Sequence, residues 1–174
     1  MIDIFGIKNI DDLMPKAEQG DIKSQFSLAI AYYMGQYIAE DRKKAVFWCR
    51  KAAKQGYGMA QYYLGNCYAL GDVVQKNQKK AMYWKVKAVR SWTIAAEQGD
   101  AEAQYELGRC FYYGDNVNED KEKAVYWWTK AAEQGYFDAL GNLSSCYADG
   151  IGVQKDMEKA AYWDKKYFEA LENS

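Results

Sequence analysis

Residues 99–135 read GDAEAQYELGRCFYYGDNVNEDKEKAVYWWTKAAEQG, and the same pattern recurs along the 174-residue chain. The copies open at Gly20, Gly56, Gly99 and Gly135, with spacings of 36, 43 and 36 residues. A leucine stands at the same place in every copy, at Leu28, Leu64, Leu107 and Leu143. A fixed period in this range is the signature of a repeat protein, in which each unit buries its apolar face against its neighbours.

Each copy predicts two antiparallel helices joined by about six residues, a normal length for such a hairpin. Three- and four-residue spacings place a first apolar stripe on one helical face, made in the third copy by Ala103, Leu107, Gly108 and Phe111. Gly114 and its equivalents are expected to end the first helix, and Asp120 and its equivalents to cap the second. The second buried stripe is predicted at Ala124, Trp127, Ala131 and Ala132.

The recurring residues are Ala-x-x-x-Leu-Gly-x-x-Tyr-x-x-Gly, Val-x-x-Asp-x-x-Lys-Ala-x-x-Trp and Lys-Ala-Ala-x-x-Gly. This pattern resembles the Sel-one-like repeat, a relative of the tetratricopeptide repeat, over roughly residues 20–163. The resemblance implies an all-α fold: a right-handed α/α superhelix, or α-solenoid, of about four helix pairs with terminal capping helices. It implies one solenoid domain over 1–174, whose first helices line the concave side. The expected parts are a cap at 1–19, repeats at about 20–55, 56–98, 99–134 and 135–163, and a cap at 164–174.

The family's second loop glycine is kept here only as Gly152. Asn116 stands at its place in the third copy, and Tyr37 and Val73 stand there in the first two. Asn116 adopts the left-handed conformation at small cost, whereas Tyr37 and Val73 do not. We therefore expect the first two loops to differ in shape from the others.

The second copy contains seven extra residues, Lys85–Ser91. Seven residues make nearly two helical turns, so the apolar stripe stays in register. The favoured prediction is one unbroken helix from about Gln78 to Gln98. An offset in the solenoid that shapes a site and a new helix start near Ser91 are the alternatives.

A lysine stands in the first turn of every second helix, at Lys44, Lys80, Lys123 and Lys159. A cation at this position opposes the helix dipole. We expect each aliphatic stem to pack on a neighbouring repeat while the ammonium group reaches a carboxylate. The sequence does not identify that carboxylate.

Composition argues against several functions. The chain has no histidine, which excludes Ser-His, Cys-His and zinc-histidine chemistry. Cys67, Cys110 and Cys146 recur one repeat apart, about 20 Å at ordinary helix spacings, so we expect reduced, buried thiols without a disulfide, and no metal site. Glu102 and Glu106 are interpreted as solvated helix-face charges. We therefore predict no enzyme activity and no cofactor.

Charge and hydropathy constrain the partner and the location. A net charge of −1 gives no basic footprint for nucleic acid. No apolar run is long enough to span a membrane, and residues 1–6 do not resemble a secretory signal. We therefore expect a cytoplasmic protein that binds neither nucleic acid nor the bilayer interior.

A second set of first-helix positions lies off the leucine face and is rich in aromatic residues and methionine. Such residues, with arginine, are enriched where proteins recognise one another. The predicted concave binding face consists of Phe26, Ile30, Tyr33, Met34, Met59, Tyr62, Asn66, Tyr105, Arg109, Tyr112 and Tyr113. Packing between adjacent first helices is the alternative explanation for these side chains.

The favoured function is a non-enzymatic module that binds a protein or peptide on this face, as an adaptor or regulator. Adaptor roles in signalling and host–microbe contact are what the family resemblance implies. A bacterial immunity protein that covers a toxin is a narrower alternative, and an architectural protein that self-associates through its ends is another. A hydrolase of the penicillin-binding or β-lactamase type is claimed for some secreted relatives, but no serine-lysine motif supports it here.

Overall fold

The computed structural model describes residues 10–35 and 37–172, and all regular structure in these ranges is helical. The helices are α1 (Ile10–Glu18), α2 (Ile22–Met34), α3 (Arg42–Lys54), α4 (Gly58–Leu70), α5 (Gln78–Glu97), α6 (Ala101–Tyr113), α7 (Lys121–Glu133), α8 (Phe137–Asp149) and α9 (Met157–Glu172). The all-α repeat fold is confirmed. Residues 1–9 of the predicted N-terminal cap and the last two of the C-terminal cap lie outside the described residues.

The chain divides into two compact units, which we call unit 1 (residues 1–91) and unit 2 (residues 92–174). In unit 1, successive helices from α1 to α4 pack on one another, and in unit 2 those from α6 to α9 do the same. The four repeat leucines are at most 1% exposed. The first predicted stripe is therefore the core of each hairpin.

The residues predicted to end the first helices and to begin the second helices do so. The glycines that end the first helices, Gly35, Gly71, Gly114 and Gly150, are all left-handed. At the start of the second helices, the side chains of Asp41, Asn77, Asp120 and Asp156 accept hydrogen bonds of 2.9–3.0 Å from the backbone N–H three residues later. Each second helix therefore begins at the position that the sequence indicated.

The second buried stripe is wider than predicted. Trp127 is half-buried, whereas its neighbour Trp128 is only 2% exposed and Val125 is also buried. A Cβ atom placed on Gly108 would lie 2.5 Å from Cδ1 of Trp128, and the indole Nε1 donates a 3.1 Å hydrogen bond to the carbonyl oxygen of Tyr105. Gly108 therefore allows the two helices to approach with the whole indole between them.

The insertion forms part of one continuous helix, α5, as predicted. Ser91 does not start a new helix; its Oγ donates a 2.9 Å hydrogen bond to Oε1 of Gln61. The insertion separates Trp84 from Trp92, the residues that correspond to the adjacent Trp127 and Trp128. Lys85 consequently lies against Gly65, with its Cγ 2.8 Å from where a Cβ would stand.

One expectation about the loops needs correction. Tyr37 adopts a left-handed backbone with φ of 66°, as Asn116 does with φ of 63°, so the prediction that Tyr37 avoids this conformation was wrong. Val73 is not among the described residues with positive φ.

The lysines in the first turn of the second helices lie beside aromatic rings of their own repeats, so the expected packing on a neighbouring repeat was wrong. Their Nζ atoms are 5.3–5.4 Å from the ring centroids of Tyr32, Tyr68, Phe111 and Tyr147. The carboxylate is the helix-capping aspartate: Lys44, Lys123 and Lys159 lie 3.7, 3.0 and 3.5 Å from Asp41, Asp120 and Asp156. A cation–π contact and an ion pair thus offset the unfavourable dipole.

Candidate functional site

The eleven residues of the predicted binding face, which we call the first-helix stripe, fall into two groups. Phe26 and Ile30 are 3% and 7% exposed and belong to the core cluster of unit 1. Phe26 packs edge-on against Tyr57 and Tyr63, with centroid distances of 5.2 and 6.4 Å. Phe26 therefore stabilises the packing of α2 on α4, and neither residue offers surface to a partner.

The rest of the unit 1 part is accessible. Tyr33 and Met34 are 38% and 54% exposed, while Met59, Tyr62 and Asn66 are half-buried. The Tyr33 ring is flanked by Tyr63, edge-on at 5.4 Å, and by the Arg42 guanidinium at 5.4 Å. The Lys85 ammonium lies 4.9 Å from the Tyr62 ring centroid. The aromatic rings of unit 1 are therefore held in place and bordered by cations.

In unit 2 the first-helix stripe consists of stacked rings. Tyr105 lies against Tyr136 with centroids 5.0 Å apart, and Tyr112 lies against Trp128 at 5.0 Å. Tyr113, which is 68% exposed, contacts Tyr112 edge-on. Tyr105, Arg109 and Tyr112 are half-buried. Tyr113 is therefore open to a partner, whereas Tyr105 and Tyr112 are only partly accessible.

Glu106 departs from the prediction of a solvated carboxylate. It is 7% exposed, and its Oε2 lies 3.2 Å from Nη1 of Arg109. Desolvation raises the pKa of Glu106, although Arg109 opposes that shift. Burial also raises the pKa of Tyr136, and Glu102 and Asp138 add to that rise. The unit 2 part of the stripe therefore lies beside a buried carboxylate, and it is also bordered by a cation, because the Lys121 ammonium lies 3.7 Å from the Tyr112 ring centroid.

The four cysteine thiols are expected to be poorly reactive. Cys49, Cys110 and Cys146 are buried, Cys67 is half-buried, and all four are free. Burial raises the pKa of Cys49 and Cys67, and it raises the pKa of Cys146 to about 11. Protonated thiols at neutral pH are poor nucleophiles and poor metal ligands. Over residues 10–35 and 37–172, side chains suited to a metal ion do not cluster in threes, and none of the helices has the length and apolarity of a membrane span.

A second set of exposed rings was missed because the sequence reasoning followed only the first helices. Phe47, Tyr83, Tyr126 and Tyr162 occupy equivalent positions in the four second helices and are 51–54% exposed. Each contacts the following tryptophan edge-on at 5.0–5.3 Å. Their repeat spacing was visible in the sequence and could have identified them.

The charge is divided unevenly between the units, which the net charge of −1 concealed. Residues 1–91 contain 15 Lys and Arg against 8 Asp and Glu, while residues 92–174 contain 8 against 16. The two units therefore carry formal charges of +7 and −8. A count for each half would have shown this from the sequence.

Unit 2 also contains an open recess of about 440 Å³ between α7, α8 and α9. Its walls are Ala132, Glu133, Gly135, Leu140, Tyr162, Trp163, Lys166, Glu169 and Ala170. The floor is apolar, and both signs of charge stand at the rim. Such a recess suits an apolar anchor side chain better than it suits a charged substrate.

Comparisons with known proteins agree with the geometry. The Sel1 repeat pattern matches residues 22–57, 58–100, 101–136 and 138–164. The chain is 35% identical to c5321, a protective antigen of uropathogenic Escherichia coli, over 92% of this chain and 33% of that one, with a TM-score of 0.65. It is 34% identical to a Sel1 repeat protein of Oxalobacter formigenes, over 92% and 63% of the two chains, with a TM-score of 0.63.

A more distant likeness is to the immunity protein Pa5087 of Pseudomonas aeruginosa. The two are 19% identical over 92% of this chain and 73% of that one, with a TM-score of 0.53, which indicates a shared fold. The search of curated proteins gave no match. The chain spans about a third of the length of c5321 and less than two thirds of the Oxalobacter protein.

Proposed function

Because this chain belongs to the Sel1 repeat family, whose members generally mediate protein–protein interactions, we propose that it is a non-enzymatic adaptor or regulator that binds a polypeptide on its first-helix stripe. The observation that carries the proposal is the exposure of aromatic and methionine side chains there, above all Tyr33, Met34 and Tyr113 at 38%, 54% and 68%. Rings already fixed by their neighbours lose little entropy when a partner covers them.

The two parts of the stripe would make different contributions. In unit 1, Tyr62 and Asn66 combine an apolar ring with an amide that can bond a peptide backbone. In unit 2, Arg109 is 43% exposed at its side chain and can reach a partner's carboxylate while Glu106 holds its other edge. A cytoplasmic location is part of the proposal and is supported by the four free thiols.

The experiment uses affinity capture from the native host with the purified full chain. Tyr62→Ala combined with Tyr105→Ala removes one ring from each unit and should weaken the specific complex by about 10- to 100-fold if these are hot spots. The matched control is Tyr83→Ala with Tyr126→Ala, which also removes one tyrosine per unit, but from the second helices. Circular dichroism verifies that both variants keep their helical content.

Two results would contradict the proposal. If the Tyr62 and Tyr105 variant unfolds, these rings belong to the core and not to a binding surface. If it binds like the wild type while the control fails, the partner uses the second helices.

An immunity protein that neutralises a toxin is the second candidate, and the fold shared with Pa5087 favours it. Co-expression with the product of each adjacent gene tests this role. Rescue of growth from a toxic neighbour supports it, and the Tyr62→Ala, Tyr105→Ala variant should then lose the rescue. A hydrolase has less support, because burial raises the pKa of Cys49, Cys67 and Cys146 and so leaves these thiols protonated at neutral pH.

A further inference from the structure

One pattern of exposed and partly exposed residues occurs twice on the second helices of unit 1. Positions 43, 47, 50, 51 and 54 of α3 lie on one side of that helix, because they are spaced by about one turn or are adjacent. The same pattern returns in α5 36 residues later. The residues are Lys43, Phe47, Arg50, Lys51 and Lys54, and then Lys79, Tyr83, Val86, Lys87 and Arg90. We call these ten residues the basic aromatic stripe.

The rings of this stripe are exposed but fixed. Phe47 and Tyr83 are 51% and 53% exposed. The Nζ atoms of Lys51 and Lys87 each lie 5.1 Å from the centroid of the ring one turn before them. Val86, which belongs to the insertion, is 47% exposed. Each ring is therefore an apolar contact with cations one turn away on both sides.

The charges of this stripe are not neutralised by the unit itself. Helix α3 and the unit 1 part of α5 together contain eleven Lys and Arg and no Asp or Glu. Within the described part of the chain, Lys43, Lys54 and Lys79 have no carboxylate at ion-pair distance. Both helices pack on α4, through the 3.2 Å contact of Cys49 Sγ with the Ala60 carbonyl and through Gly65 against Ala81.

Unit 2 shows that these cations are not a requirement of the repeat. The equivalent positions hold Glu122, Tyr126, Thr129, Lys130 and Glu133 in α7, and Glu158, Tyr162, Lys165, Lys166 and Glu169 in α9. The ring and the lysine after it are kept, while both ends of the pattern change from basic to acidic. The basic flanks therefore belong to unit 1 alone.

We propose that the basic aromatic stripe docks an acidic polypeptide segment in which bulky apolar side chains alternate with Asp and Glu. Charge complementarity selects the acidic groups, and Phe47, Tyr83 and Val86 receive the apolar ones. The insertion has a role in this surface, because its Val86, Lys87 and Arg90 make α5 repeat the pattern of α3. The surface is separate from the first-helix stripe, so either can fail without the other.

A polypeptide fits this surface better than an anionic bilayer does. Helices that lie in a membrane interface keep their apolar residues on a face apart from the charged one, whereas here lysines precede and follow each ring in the same row. The formal charge of −8 on residues 92–174 would also oppose approach to an extended anionic surface.

The test measures fluorescence anisotropy of a labelled peptide of alternating Glu and Leu, with the full chain as titrant. The same peptide with Gln for every Glu is the probe for apolar binding alone. Lys51→Glu with Lys87→Glu should weaken binding of the Glu peptide by about ten-fold or more. The matched control, Lys130→Glu with Lys166→Glu, changes the net charge equally at the equivalent positions of unit 2 and should change the affinity by less than about two-fold.

Several outcomes overturn the proposal. Equal losses in the two charge variants would mean that only bulk charge is sensed. If the Gln peptide binds as well as the Glu peptide, the surface does not recognise acidic groups. If Phe47→Ala with Tyr83→Ala binds the Glu peptide as well as the wild type does, the surface does not recognise the apolar side chains. Binding to phosphatidylserine vesicles with no binding of the Glu peptide would assign the surface to membranes. Should Lys51→Glu, Lys87→Glu lose helical content, Lys51→Gln with Lys87→Gln applies the same test.

Discussion

Units 1 and 2 contain the same helical hairpin, but different side chains occupy the space between its two helices. In unit 2, Gly108 accommodates the indole of Trp128, while in unit 1 the equivalent Gly65 faces the aliphatic part of Lys85. On the surface, the five-residue pattern around the same exposed ring begins and ends with a basic residue in unit 1 and with a glutamate in unit 2. The repeat pattern thus determines the small residues and the leucines, and the positions between them have diverged in volume and charge.

The largest difference should appear when the indole is removed. Trp128→Ala deletes a side chain that is 2% exposed and is expected to cost about 3–5 kcal/mol of unfolding free energy. Trp127→Ala, at a half-buried position, should cost clearly less. Chemical denaturation of both variants measures this, with Cys49→Ala, the position equivalent to Trp128, as the small-volume counterpart in unit 1. A larger loss of unfolding free energy for Trp127→Ala than for Trp128→Ala would support the original prediction that Trp127 is the buried residue.

The sequence predicted the helices and their ends well, because leucines, helix-capping residues and glycines recur in phase and each has one local physical role. It was less successful where the choice depends on neighbours in space. Periodicity placed Trp127 in the core, but the space left by Gly108 is filled by Trp128. Phe26 and Ile30 share the spacing of exposed residues, yet the adjacent α4 covers Phe26. Glu106 looked solvated because the spacing of charges along α6 does not reveal that the folded chain desolvates this carboxylate.

The buried carboxylate of Glu106 provides a pH test of stability in unit 2. Because the pKa of Glu106 is raised in the folded state, its contribution to stability is fully present below the unfolded pKa and is lost as pH rises through the folded pKa. Glu106→Gln should remove that loss and increase stability at pH 7 by about 1 kcal/mol, since Arg109 is partly exposed and can be solvated alone. Urea unfolding at several pH values measures it. If the variant is instead less stable than the wild type above the folded pKa, where Glu106 is ionised, the ion pair stabilises the fold.

Deletion of Lys85–Ser91 tests whether the insertion alone accounts for the different side-chain packing of the hairpins in the two units. The deletion joins Trp84 to Trp92 and recreates the Tyr-Trp-Trp-Thr sequence of the third copy. Trp92 would then face Gly65, and Gln98 would take the place of Ser91 beside Gln61, as Gln134 lies 2.8 Å from Gln104. We expect a folded protein whose stability changes by no more than about 1 kcal/mol.

Thermal unfolding followed by circular dichroism measures the effect of this deletion. A protein without a cooperative transition would contradict the in-register interpretation of the insertion. A folded variant that no longer binds the alternating Glu and Leu peptide would, in contrast, agree with a surface role for Val86, Lys87 and Arg90.

The smallest effect concerns Asn77, which caps a second helix where the other three second helices have an aspartate. Asn77 accepts the hydrogen bond from the Lys80 backbone N–H at 2.9 Å, but it gives the Lys80 ammonium no carboxylate, unlike Asp41, Asp120 and Asp156. Asn77→Asp should stabilise unit 1 by about 0.5 kcal/mol at neutral pH, through the helix dipole and the new ion pair. The reciprocal Asp120→Asn should destabilise unit 2.

The pH dependence of both substitutions follows from the charge of the capping aspartate. Backbone and side-chain hydrogen bonds from Lys123 lower the pKa of Asp120. The stability that Asp120 contributes is therefore present above the ordinary aspartate pKa of 3.8 and is lost as pH falls through the lowered value. The effects of both substitutions should therefore vanish in acid, and a gain from Asn77→Asp that persists there would mean that the side chain acts through packing and not through its charge.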